Sequence, residues 1–112
     1  MCRSLRVLCA APSPEELAAL KRAAVSSDYE LVGGATDRGG VVAQVREWVP
    51  DVVVAPAALL GREAIEEARA WRPELRWVVV GGDGDGADAV AAALEEVRET
   101  IRGLPRPGGP VR

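Results

Sequence analysis

The chain has 112 residues, 48% hydrophobic and 28% charged, with a net charge of −3, which is the composition of one ordinary globular domain. It has no histidine, and this excludes the usual general base, the usual zinc ligand and a phosphohistidine relay. The arginines are scattered with no basic block, and the longest apolar runs are about strand length, so nothing draws the chain to nucleic acid or into a bilayer. Cys2 and Cys9 make no disulfide framework, and the apolar stretch of "MCRSLRVLCAAPS" is too short for a signal peptide. A reducing cytoplasm is the expected compartment.

Residues 4–11, "SLRVLCAA", form a nearly continuous apolar run and predict a buried strand. A helix over 13–27 follows. Ser13 is its N-cap, Pro14 suits the first helical position, Glu16 completes a capping box, and Leu17, Leu20 and Ala24 share one face. Residues 29–37 predict a second strand that ends in glycines. Asp37 caps a helix over 39–50, where Val41, Val45 and Trp48 line one side and Pro50 is the stop. The consecutive valines of 51–56 mark a third strand covered on both faces. Residues 62–73 predict a third helix with Ala64, Ile65, Ala68 and Trp71 inward, and 75–82 a fourth strand. After an acidic glycine loop at 83–86, the alanine-rich segment 87–103 predicts a fourth helix ending at Gly103. Residues 104–112 are mostly Pro, Gly and Arg, a tail or linker beyond a domain of residues 1–103.

Strands that alternate with helices demand right-handed crossovers and a parallel sheet. The expected fold is a flavodoxin-like three-layer α/β sandwich, with a parallel sheet of four or five strands and helices on both faces. At this point residues 4 to about 82 resemble the receiver domain of two-component response regulators. "LRVLCAAPSPEELAALKRAA" matches its first strand and helix, "YELVGGATDRGGVVAQVREWVPDVVVAP" the next two strands and their helix, and "RPELRWVVVGG" its fourth strand. The resemblance implies an acidic pair after the first strand to hold Mg²⁺, and here stand Ala10, Ala11 and Pro12. It implies a phosphoacceptor Asp at the end of the third strand, and here stands Pro56, preceded by Ala55. It implies a Ser or Thr after the fourth strand, where Gly81 or Gly82 stands, and a Lys after the fifth. The chain's one lysine is Lys21, on the first helix. No separate fifth strand is legible, since from Ala87 the pattern reads as one helix. The resemblance thus implies a pseudo-receiver, non-enzymatic, with no metal or cofactor, kept for its surfaces.

Other signals read more plainly. Asp51 starts its strand at the opposite end from that site and is expected to cap the strand's exposed entrance. "GDGDGADA" outlines a dinucleotide loop, but Asp83, Asp85 and Asp88 would repel a pyrophosphate and lack the Glu a Ca²⁺ loop needs. A nucleotide or small-molecule site on the glycine loop 81–86 is the alternative reading. Cys9 reads as a core thiol, and Trp48, Trp71 and Trp77 as core packing. The expected role is a protein-interaction or dimerisation module in bacterial signalling or localisation. As a domain it would precede a ParA/MinD-type ATPase or a DNA-binding output. The candidate surface is Val78 and Val80 of the fourth strand with Leu94 and Val97 of the last helix, and the partner is a second copy or another protein.

Overall fold

Four apolar runs become strands because both faces of a central parallel sheet are covered. The computed structural model describes residues 5–27, 29–56, 59, 65–67, 70, 75–81 and 89–103. In chain order they form β1 (Leu5–Cys9), α1 (Pro14–Ala24), β2 (Tyr29–Leu31), α2 (Arg38–Trp48), β3 (Val52–Pro56), β4 (Arg76–Val80), β5 (Ala89–Ala91), a 3₁₀ turn (Leu94–Glu96) and α3 (Val97–Arg102). Residues 65–67 are helical as well. All five strands pair in parallel in the order β2-β1-β3-β4-β5.

Side chains alternate between the two faces along each strand. On one face Leu8, Val53, Trp77 and Val79 pack with Val41 and Val45 of α2 and with Ile65. On the other, Val7, Val54 and Val78 pack with Leu20 and Ala24 of α1 and with Val97 and Ile101 of α3. Trp77 is 1% exposed and, among the described residues, is the largest side chain buried outright.

The helix starts follow their sequence signals. The Ser13 hydroxyl accepts from Glu16 N–H at 3.2 Å and lies 3.1 Å from Glu16 Oε2, while Asp37 Oδ1 accepts from Gly40 N–H. α2 ends in a left-handed residue, Val49 (φ 49°), ahead of Pro50. Between β2 and Ala35 the chain gains a residue on β1: Val32 N–H bonds Val7 O, and Ala35 N–H bonds Cys9 O. Gly33 absorbs that kink with φ 57°, and a Cβ there would come within 2.8 Å of the Trp48 ring. Trp48 therefore lies over the bend, 36% exposed, rather than in the core.

Three expectations change. Residues 89–91 are a strand, not the start of a helix over 87–103: pairing of Val79 with Val90 and of Val80 with Ala91 outweighs the helix propensity of alanine. β4 pairs with β3 on one side and with β5 on the other. The fourth strand is consequently interior, and β5 is the sheet edge. Val78 and Val97 are each 0% exposed and cannot form a surface patch, because α3 packs over the strand face that carries Val78. The inward residues Ala64, Ala68 and Trp71, the loop 83–86, Gly82, Cys2 and the tail 104–112 lie outside the described residues.

Candidate functional site at the carboxyl ends of the strands

Open α/β sheets bind ligands beyond the carboxyl ends of their strands, where the strand order reverses. Here the order reverses between β1 and β3. Around that point stand Ala10, Ala11 and Pro12 after β1, Pro56 at the end of β3, Gly81 after β4 and Ala92 after β5. The structure thus gathers the residues singled out in the sequence and adds Ala92, which was missed because β5 was read as helix. A strand between β4 and the last helix was the signal available, since each earlier helix is preceded by one.

None of these six positions offers a spare backbone N–H. Ala10 N–H bonds Val54 O at 2.9 Å, Ala11 N–H bonds Ala35 O at 3.1 Å, and Gly81 N–H bonds Ala91 O at 2.8 Å. Ala92 N–H is held by Glu96 Oε1 at 3.3 Å. Pro12 and Pro56 have no N–H to give. An anion cradle is built from convergent N–H groups, and these described positions have used theirs in the sheet and its loops. α1 begins beside the rim with Glu15 and Glu16 in its first turn, a further repulsion for an anion. Among the described residues no group of three His, Cys, Asp or Glu side chains could hold a metal ion.

What the rim does contain is a half-open crevice of about 250 Å³. Its walls are Ala11, Ala19, Leu20, Pro56, Val80 and Leu94, with Glu16 the one charged residue. Two of these wall residues, Ala11 and Ala19, contribute only a methyl group each. Of the proposed interface residues, Val80 and Leu94 line this crevice, and Leu94 is 38% exposed.

Lys21 does not stand in for a rim lysine. A Cβ on Gly34 would lie 2.9 Å from its Nζ, so the amine rests against the loop after β2. Cys9 faces α1, 1% exposed; burial pushes its thiol up to about 12, against the opposing charge of Lys21. Asp51 lies at the other end of the sheet and is 3% exposed rather than at an open entrance. Its carboxylate accepts from Arg6 N–H at 2.9 Å, while its own N–H bonds Arg6 O and its carbonyl accepts from Arg76 N–H. It ties the starts of β1, β3 and β4 together.

No family model and no curated protein matches the chain. Solved structures do. The CheY-like receiver domain protein from Methanospirillum hungatei superposes with a TM-score of 0.73 at 20% identity, covering 89% of this chain and 92% of that one. The response regulator domain of Thermotoga maritima CheB gives 0.69 at 22% identity, over 92% of this chain and all (100%) of that one. The signal receiver domain of Mycobacterium tuberculosis NarL gives 0.76 at 16% identity, with 92% and 100% covered. The chain therefore has the flavodoxin-like fold of response-regulator receiver domains. Among the described residues no helix is long and apolar enough to cross a membrane.

Proposed function

We propose that this chain is a receiver-fold signalling module that works without phosphorylation, through contact with other protein surfaces. The observation that carries this reading is the rim: carboxylates are absent from all six positions, and every backbone N–H there is already bonded or missing. Receiver domains with this fold have been captured with a phosphoryl mimic, as in Thermotoga maritima TrrA in complex with Mg²⁺ and beryllofluoride. The chemistry such a complex requires has no counterpart among the described residues at this rim. Incubation with labelled acetyl phosphate and Mg²⁺ checks the reading. No hydroxylamine-labile label is expected; stoichiometric label on a carboxylate of the folded domain would overturn it.

Self-association is the second part of the proposal, and it moves from the fourth strand to the fifth. β5 is a sheet edge only three residues long, and an unpaired edge is a template for another strand. Val90, the neighbour of the buried Val79, is 43% exposed on the face that also carries Trp77. A two-fold pairing of β5 edges would cover Val90 in both copies. Sedimentation at micromolar concentration should show a dimer that Val90→Lys dissociates. A monomer at every concentration would leave only a different protein as partner.

A further inference from the structure

We propose that the crevice at the carboxyl ends of β1, β3 and β4 is an anchor pocket for one large apolar side chain of a basic segment in a partner polypeptide. The inference rests on the reading above, in that the rim is free of phosphoryl chemistry, and adds the place and chemistry of recognition. The volume, about 250 Å³, exceeds the ~150 Å³ cavity that accommodates benzene, so it takes a leucine, phenylalanine or indole side chain. Walls of Ala, Leu, Pro and Val offer water almost no hydrogen-bond partners, and a site of that kind favours an apolar occupant. Interfaces concentrate their affinity in just such an anchor seated in a pocket and ringed by polar contacts.

The ring is acidic. Glu15 and Glu16 stand in the first turn of α1, and Glu95 and Glu96 follow Leu94 in the 3₁₀ turn, all four exposed. Glu16 bonds Ser13 and Glu96 bonds Ala92 N–H. The one basic residue on the next turn is Arg98, itself exposed. With the whole chain at −3, this face attracts cations and repels anions, which selects a partner whose anchor is flanked by lysine or arginine. A second copy of this acidic chain is the less suited occupant.

The test is an amide-resolved NMR titration with the capped pentapeptide acetyl-Lys-Gly-Trp-Gly-Lys-amide. Saturable shifts are expected at Ala11, Ala19, Val80 and Leu94. Replacing its Trp by Ala, or both Lys by Glu, should weaken binding by about fivefold or more. Ala19→Leu fills the pocket and should cost about tenfold with the rest of the spectrum native. Glu16→Gln, which leaves the walls intact, should remove most of the preference for Lys over Glu flanks and serves if Ala19→Leu disturbs the fold. The proposal is overturned by unsaturable shifts, by equal binding of the Glu-flanked peptide, or by tryptamine binding as tightly as the peptide, which would make the ligand a small molecule. In the Val90→Lys chain, crevice shifts that change on dilution of the protein alone would assign the pocket to a second copy and also overturn it. Phosphoryl label on the domain would defeat the parent reading whatever the peptide does, so the two failures are distinguishable.

Discussion

The two ends of the parallel sheet have opposite chemistry. At the amino ends of the strands a charged residue, Asp51, is buried to 3% exposure and built into the hydrogen bonding of β1 and β4. At the carboxyl ends, where folds of this type place their ligands, the described residues are Ala10, Ala11, Pro12, Pro56, Gly81 and Ala92, and among the described residues the nearby acidic groups stand on the surrounding helix starts. A buried charge is expensive unless it is satisfied. The sheet uses this one to hold strands together. Polar residues in a small domain therefore point to function only when they gather where ligands bind, and here the gathered feature is an apolar hollow with an acidic mouth.

Putting a charge at the wrong end should produce the largest effect. Ala10 is 0% exposed among Leu8, Val53 and Ala55, so Ala10→Asp leaves an unpaired carboxylate in the core and should cost about 3–5 kcal/mol. Urea unfolding would measure it; a near-neutral outcome would mean the rim retains a partner for a carboxylate and would weaken the comparison. Removing the charge from the correct end should cost less. Asp51→Ala orphans Arg6 N–H and should lose about 1–3 kcal/mol, with Asp51→Asn recovering part of it by keeping an acceptor.

Near neutral pH the smallest effect concerns Cys9, the last residue of β1. Its thiol is raised from 9.0 to about 12 by burial. The unfolded chain gives up this proton near its ordinary value and the folded chain holds it longer, so above pH 9 the unfolded state binds fewer protons. Stability should fall as pH rises from about 9 toward 12, by at most ~1.4 kcal/mol per pH unit from this group. Comparing a Cys2→Ala chain with a Cys2→Ala/Cys9→Ala chain isolates the term. In the first of these, a thiol reagent at pH 8 should leave the folded protein unlabelled. Rapid labelling would mean that α1 does not cover β1 as described.

Much of the fold was legible because periodicity and caps agree with it. Continuous apolar runs gave β1, β3 and β4, Ser13 and Asp37 gave the starts of α1 and α2, and Pro56 was placed at the end of its strand. β5 was not legible, since "ADAVAAAL" has the composition of a helix and becomes a strand only through its pairing with β4. The same gap misplaced Val78 and Val97, which are surface candidates only if the fourth strand is the edge. The small and apolar residues of the rim could be read from residue types at strand ends. The crevice could not: Ala19, Pro56, Val80 and Leu94 are far apart along the chain, and only the packing of α1 beside the 3₁₀ turn brings them around one hollow.

The contrast between the ends comes down to whether the carboxyl rim can hold a metal and a phosphoryl group. The most direct measurement is the amide spectrum of the domain with Mg²⁺ and beryllofluoride added in excess. The account predicts an unchanged spectrum at Ala10, Ala11, Ala55, Gly81 and Ala92, beyond the small uniform changes caused by salt. Saturable, specific shifts at those residues would contradict it and return the domain to phosphate-dependent signalling.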